Sequence, residues 1–452
     1  MNIYIPIETK ARELESKLLL AMEAASRGHD VLLGPLSIIF SWGPTGLLKP
    51  GVFHDKSLSP TNSKISAFKK IKDKEGIITS LDEEGGFLSD SYNRFRDMRF
   101  STETVGLADR IFCWGQFDFG PLTDKFPKFS EKFVLSGSPR VDLWSMNHGK
   151  RSVKVNQIEE GYILLISNLG YVLNKNRFWI LNDHLKGYKS LSEDFSMENR
   201  LLKYSNDVLM LKEFIKLLKV LPQEFPGKTI VVRPHPVEDK QAWPSLVSGI
   251  ENVQVIYEGG IDSWISNADV VIHNGCTSAF EARVKDVPLI AFTPEKGGRV
   301  SVSNTISLQA KNIDEVIKSI RSVLESSEQL QYSNKSNNLI EDRLYRDNRI
   351  GSYKLIVNEW EKLWSNKGLE KNNWLLIAIR LKASQFKKKI VPKLKRHDKP
   401  KGIDVSHKFP SLSKKEVENH IDSLKISAGF TDDFEVKEIF NKTFLIRSSS
   451  RA

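Results

Sequence analysis

Two stretches of this chain end an apolar run in hydrogen-bond donors. TIVVRPHP closes on Arg233-Pro234-His235-Pro236, and ADVVIHNGCTSAFEA closes on His273-Asn274-Gly275-Cys276-Thr277-Ser278 before turning helical through Glu281. In open α/β sheets ligands bind outside the carboxyl ends of strands, so both junctions are placed to meet the phosphate of a nucleotide-activated substrate. Arg233 and a cationic or donating His235 could contact a phosphate and stabilise it as it leaves, while Pro234 and Pro236 fix the backbone around the imidazole. Gly275 to Ser278 would bring backbone N–H groups and two hydroxyls to a helix start, a geometry that binds anions without lysine. Plainer readings stay open: a histidine in a rigid turn, a Ser or Thr N-cap, and for Glu281 either a ribose contact or an acid that favours the helix start. Cys276, with His273 three residues before it, could be read as a nucleophile, but nothing else in the sequence suggests thiol chemistry.

A third stretch is acidic. Leu81-Asp82-Glu83-Glu84-Gly85-Gly86 follows the β-rich run GIIT. Adjacent carboxylates repel, so one of the three could have a raised pKa and act as a general base; the alternative is a solvated acidic turn.

The elements that must position these loops alternate strand and helix. NIYIPI reads as a buried strand, ETKARELESKLLLAMEAASRG as a helix closed by Gly28 with Leu14, Leu18, Ala21, Met22 and Ala25 on one face, and HDVLLGP as a second strand. That order is a βαβ unit. No GxGxxG follows the first strand, which disfavours the usual dinucleotide fold. The runs GVFHDKS, EGIITSLDEEGG, DRIFCWG and EKFVLSGSPRVDLW continue the pattern, with Ser136 to Asp142 either an ordinary turn or part of a cleft lining. A second series starts at EEGYILLISNLG and runs through NIDEVIKSIRSVLES, with a polar, aperiodic segment from Asn174 to Asn199. The expected class is α/β, with a Rossmann-like domain over residues 1–155 and another over 156–335, facing a cleft. Terminal helices over 336–365 would pack on both, a basic amphipathic segment spans 366–402, and a small helical tail module covers 403–452. No solenoid-type repeat is present.

Composition narrows the setting. The 452 residues are 40% apolar and 27% charged, the balance of a soluble globular protein. Cys113 and Cys276 cannot form a disulfide framework, and no secretion signal or membrane-spanning run is seen, so a cytoplasmic location is expected. Of the net charge of +11, residues 366–401 carry +10, from twelve Lys or Arg against Glu370 and Asp398. The rest of the chain is near neutral, which argues against nucleic acid as a partner.

At three places together the chain resembles a known group. Glu83-Glu84-Gly85, His235-Pro236 and Thr277-Ser278 look like the motifs of bacterial CMP-sugar-dependent transferases of the GT-B fold, the sialyltransferases and related Kdo transferases. The opening IPIETKARELESKLLLAMEAASRGHDVLLG and SLDEEGG also look like the surface carbohydrate biosynthesis family. The resemblance covers residues 1–330. It implies a GT-B fold and transfer of a nonulosonic or ulosonic acid from a CMP-sugar to a glycan or lipid-linked glycan. Glu83 would be the base that deprotonates the acceptor, with Asp82 and Glu84 as near alternatives. His235 would contact the donor phosphate and assist departure of CMP, with Thr277 and Ser278 on the same phosphate. Arg233, Pro236, Asn274, Gly275, Cys276 and Glu281 complete the expected donor side. Three acids stand where the pattern has two, and Cys276 has no counterpart role. No cofactor or metal is expected, since a CMP-sugar carries its own carboxylate and no DxD-type site is evident. Inversion by direct displacement is the expected outcome, with retention left open.

Trp374, Leu375, Leu376, Ile377, Ile379, Leu381 and Phe386 precede Lys387-Lys388-Lys389, so residues 366–402 are expected to touch the anionic inner face of the cytoplasmic membrane; the alternative is a solvated linker. Two rivals remain: a CDP-glycerol-type phosphotransferase of teichoic-acid or capsule assembly, and a non-catalytic membrane-docked assembly protein.

Overall fold

The first strand, β1 (Asn2–Ile7), is buried along its whole length, and α1 (Lys10–Ser26) returns over it to β2 (Asp30–Pro35), which pairs parallel to β1 with Asn2 opposite Asp30. These elements belong to a computed structural model that describes residues 1–87, 92–146, 158, 161–175, 197–298, 301–325, 331–347, 349–365, 368, 372–390, 409 and 411–451. The chain forms two compact units, residues 1–146 with 341–452, and residues 147–340. The boundary expected at 155/156 and most of the polar segment 174–199 lie outside the described residues, as does the basic run beyond residue 390.

In the first unit β3 (Val52–Asp55), β4 (Ile77–Leu81), β5 (Arg110–Cys113) and β6 (Phe133–Leu135) extend the parallel sheet on the other side of β1. Chain direction across the sheet therefore reverses between β1 and β3. In the second unit β7 (Tyr162–Ile166), β8 (Ile230–Arg233), β9 (Val253–Val255), β10 (Ala268–His273), β11 (Leu289–Phe292) and β12 (Leu308–Ala310) form an all-parallel sheet in the order β12-β11-β10-β7-β8-β9. Its reversal lies between β7 and β10. β1, β3 and β4 in the first sheet and β7, β8 and β11 in the second are buried along their whole length, as strands covered on both faces are.

The tail differs from expectation. The described residues of 403–452 are not purely helical. The helix Lys414–Ala428 is followed by β13 (Phe434–Phe440) and β14 (Thr443–Ser448), an antiparallel hairpin whose second strand pairs with β2, Leu445 opposite Leu32. Asn441 and Lys442 both have positive φ, 38° and 63°, which a two-residue hairpin turn requires. β14 removes an exposed edge from β2. Gly34 permits the approach, since a Cβ there would stand 2.7 Å from Thr443 Oγ1. Arg447 clamps Asp30 with Nε at 2.8 Å and Nη2 at 2.6 Å. The helix Ser352–Trp364 and the helix Lys414–Ala428 both pack on α1. From Ser16 to Ala25 every residue of α1 is buried, and its polar residues Glu13, Ser16, Lys17 and Glu23 are buried with the apolar ones.

Candidate functional site

Polar side chains gather at the carboxyl edge of each sheet. In the first unit the acidic loop follows β4 and turns toward α1. Glu83 is buried, and its Oε1 lies 2.7 Å from Lys17 Nζ, itself buried. One turn back along α1, Glu13 accepts the N–H groups of Glu8 and Thr9 at 2.9 and 3.1 Å. Burial, and then the charge of Glu83, pushes the Glu13 carboxyl up, against the pull of Lys17. Lys17 therefore sits between two carboxylates. Across the sheet reversal, Lys56 after β3 is ion-paired with Glu8 after β1.

The three acids of the loop occupy three different environments. Asp82 is buried, its carbonyl accepts Trp114 Nε1–H at 2.6 Å, and its Oδ1 accepts Glu84 N–H at 3.0 Å. Burial raises its pKa to about 6 although Arg99 stands 3.4 Å from Oδ2. Glu84 is half-buried, the least buried of the three, held between Arg12 at 2.9 Å and Arg99 at 3.1 Å. Burial pushes its pKa up, but the two guanidiniums outweigh that and leave it below the ordinary value. Glu83 alone is locked to a lysine. Beneath the loop lies Asp118, whose Oδ2 accepts Trp114 N–H at 3.3 Å and whose pKa is raised to about 7, by burial and then by the charge of Asp82. The raised carboxyl expected from acid–acid repulsion is thus present at Asp82, with desolvation as its first cause.

The segment Ser136 to Asp142 supplies a helix cap and a brace. Ser138 caps the helix Pro139–Ser145, and Asp142 Oδ2 accepts Ser352 Oγ and Tyr353 N–H at 2.5 and 3.1 Å. Arg140 reaches back to the carbonyl of Glu83 at 3.2 Å.

In the second unit the loops after β7, β10 and β8 lie side by side, because those strands are neighbours. Asn274 and Asn168 bind reciprocally across the sheet reversal: Asn168 N–H donates to Asn274 Oδ1 at 2.9 Å, Asn274 Nδ2 to the Asn168 carbonyl at 3.2 Å, and Asn168 Nδ2 to the Gly275 carbonyl at 3.2 Å. His273 is fully buried. Its Nδ1 accepts the N–H groups of Gly275 and Cys276 at 3.0 and 3.3 Å, and its Nε2 meets Ser307 Oγ at 2.8 Å. Ser307 gives its own proton to the Ser303 carbonyl, so the ring proton is on Nε2. Burial lowers the His273 pKa to about 3. Gly275, at φ +97°, makes the bend that points both amides at that ring.

Several expected roles change with this geometry. The amides of Gly275 and Cys276, expected to meet phosphate, are bound to His273. Arg233, also expected there, donates instead to the carbonyls of Ile256, Glu258 and Gly259 at 2.9, 2.7 and 3.0 Å, bracing the loop after β9; burial lowers its pKa to about 10. Cys276 is buried, burial raises its thiol pKa, and both nitrogens of His273 are engaged elsewhere, so the pair has no nucleophile chemistry. Glu281 is buried inside its helix. What faces outward is a smaller set. His235 is half-buried, its Nδ1 accepts Val237 N–H at 3.3 Å, and its neutral ring therefore carries its proton on Nε2. Burial lowers its pKa, which favours the neutral ring. Thr277 is exposed at the start of the helix Ser278–Val284, Ser278 is half-buried with its Oγ 3.2 Å from Cys276 Sγ, and Pro236 is exposed.

Sequence reasoning missed Glu13, Lys17, Arg12, Arg99 and Asp118, and in the second unit Asn168 and Glu238. Glu238 accepts Ser167 Oγ, Trp243 Nε1 and Leu169 N–H at 2.6, 2.7 and 2.7 Å and holds the loop after β7. One signal existed: Lys17 lies three residues from Leu14 and four from Glu13, beside the apolar stripe of α1.

The sequence matches no family profile, and no curated protein matches it. Solved structures do match in fold. A UDP-GlcNAc 2-epimerase from Methanocaldococcus jannaschii is 12% identical over 80% of this chain and 100% of its own, with a TM-score of 0.52. A Listeria monocytogenes protein described as a UDP-N-acetylglucosamine 2-epimerase is 12% identical over 82% and 98%, with a TM-score of 0.50. The wall teichoic acid polymerase TagF is 10% identical over 81% and 89%, at 0.48, a likeness too weak to discriminate anything. At these identities the likeness shows the fold. The chain is of GT-B type, with two Rossmann-like units, each built on a parallel sheet, and a C-terminal extension.

Proposed function

We propose that this chain is a nucleotide-sugar-dependent glycosyltransferase of surface polysaccharide assembly whose donor is a CMP-activated nonulosonic or ulosonic acid. The observation that supports it most is the carboxyl edge of the second sheet, where the neutral, Nε2-protonated His235 follows β8 and the Thr277 and Ser278 hydroxyls follow β10, the two strands that flank β7. Such donors hold a phosphate and stabilise the charge it gains on leaving. An acid of the loop after β4 accepts the acceptor hydroxyl proton. The acceptor oxygen attacks the anomeric carbon, the bond from that carbon to the phosphate oxygen breaks, and CMP leaves with the electron pair. We assign the base to Asp82, since a carboxyl with a pKa of about 6 is matched to proton abstraction near neutrality, whereas Glu83 is tied to Lys17 and Glu84 to two arginines. On this reading the reaction is inverting and needs no metal or cofactor.

The test is a donor panel of CMP-Kdo, CMP-sialic acid, CDP-glycerol and UDP-GlcNAc, each incubated with the purified chain with and without EDTA. Release of CMP from a CMP-sugar, lost in Asp82→Asn and in His235→Ala, supports the reading. A phosphodiester product from CDP-glycerol would establish the phosphotransferase instead, turnover of UDP-GlcNAc alone would establish an epimerase-like activity, and no turnover of any donor would favour a non-catalytic role.

A further inference from the structure

The helix Trp374–Ile390 presents two apolar faces, and the fold uses only one. Trp374, Ile377 and Leu381, three and four residues apart, are buried in the core of the first unit together with Ile439 and Leu445. Trp374 Nε1 donates to Asp30 Oδ2 at 3.2 Å, and just before the helix Asn372 Nδ2 donates to Asn2 Oδ1 and Tyr4 Oη, both at 2.9 Å. The helix is therefore fastened to the sheet in a fixed rotation. On its opposite face Leu375, Leu376 and Ile379 are 68%, 51% and 53% exposed. Successive residues of a helix are 100° apart, so these three form one strip, flanked by Lys382 on one side and Arg380 on the other, both exposed.

We infer that this strip is the surface by which the protein docks on an anionic lipid bilayer, with the helix lying in the plane of the interface. The charge pattern selects the occupant. From Trp374 to Ile390 the sequence holds Arg380, Lys382, Lys387, Lys388 and Lys389 and no acid. A second copy of the chain would bring the same cations against them, whereas anionic headgroups complement them while the leucines and isoleucine enter the acyl boundary. Among the described residues no helix is long and apolar enough to cross a membrane, so the strip lies on the bilayer instead of spanning it. Lys382 and Arg380 are placed at the borders of the strip, where long cationic side chains keep their heads in water while their stems cover apolar surface. The inference narrows the expectation for residues 366–402 to one face of one helix, and it does not depend on which donor the enzyme uses.

The test is co-sedimentation of the full chain with vesicles of phosphatidylcholine alone or mixed with phosphatidylglycerol. Binding to the mixed vesicles should exceed binding to neutral ones by roughly tenfold or more and weaken with salt. The variant Leu375→Asn/Leu376→Asn/Ile379→Asn should lose it, again by roughly tenfold or more, with unchanged circular dichroism and an unchanged monomer in ultracentrifugation. Arg380→Glu/Lys382→Glu leaves the strip apolar and should remove the preference for phosphatidylglycerol. Equal binding by the triple variant would assign docking to the lysines alone and overturn the inference. So would binding indifferent to phosphatidylglycerol, no binding at all, or a wild-type dimer that the triple variant dissociates.

Discussion

Replacing Lys17 with Met removes the cation that pairs with Glu83 and leaves the size of the side chain nearly unchanged. Both partners are buried, and stripping one member from a buried pair costs about 3–5 kcal/mol because a desolvated charge is left behind. Protonation sets a ceiling on that cost. Placing a proton on a carboxylate whose unfolded pKa is about 4.3 costs about 3.7 kcal/mol at pH 7 and about 1 kcal/mol at pH 5. In the variant Glu13, already pushed up by burial and by the charge of Glu83, loses the downward pull of Lys17, so the folded state binds more protons and stability is lost as pH rises. Lys17→Met should therefore be destabilised by about 3–4 kcal/mol at pH 7 and by about 1 kcal/mol at pH 5, read from urea denaturation followed by circular dichroism. Adding Glu83→Gln should restore much of the loss at pH 7. A Lys17→Met protein within about 0.5 kcal/mol of wild type at pH 7, or one whose deficit is the same at both pH values, would refute the reasoning that this pair is buried and coupled.

Other consequences follow from the same geometry. Asp118, with a pKa raised to about 7, contributes stability that is fully present below pH 4 and lost as pH rises through 7; Asp118→Asn should reduce the fall in melting temperature between pH 5 and pH 8, corresponding to a few kcal/mol, measured by scanning fluorimetry across that range. Arg447→Ala removes two charge-assisted bonds to Asp30 and should cost about 1.5 kcal/mol, with earlier cleavage of the C-terminal hairpin in limited proteolysis. His235→Ala should lower turnover of the CMP-sugar by about a hundredfold to a thousandfold and leave the melting temperature in place, since the ring is half-buried and its hydrogen bond is to Val237 in its own loop.

What the sequence disclosed depended on the range of the interaction that decided each feature. Strands such as β1 and β10 and the helix α1 are set by continuous apolar runs and by a three-and-four spacing, so their places could be read directly. The loops after β4, β8 and β10 were legible for the same reason, because strand ends locate them. The use made of each side chain was not. Arg233 looks available until the loop after β9 folds back and offers it three carbonyls, and the Gly275 amide looks available until His273 turns beneath it. Those partners are set by the fold, with no periodicity to announce them. The hairpin after residue 433 was missed because its turn uses Asn-Lys, without the glycine that marks most two-residue turns, and because its partner strand lies four hundred residues earlier. Lys17 was hidden for a related reason: elements far along the chain, the terminal and tail helices among them, pack on α1, and the sequence near a lysine beside an apolar stripe does not announce its burial.

The central claim is that the edge of the second sheet holds the phosphate of a cytidine nucleotide. Calorimetric titration of CMP into the wild-type chain, into His235→Ala and into Thr277→Ala/Ser278→Ala tests it most directly. The account predicts saturable binding to the wild type that both variants weaken by tenfold or more, roughly 1.4 kcal/mol. Absence of CMP binding to the wild type, or binding that both variants retain in full, would contradict it.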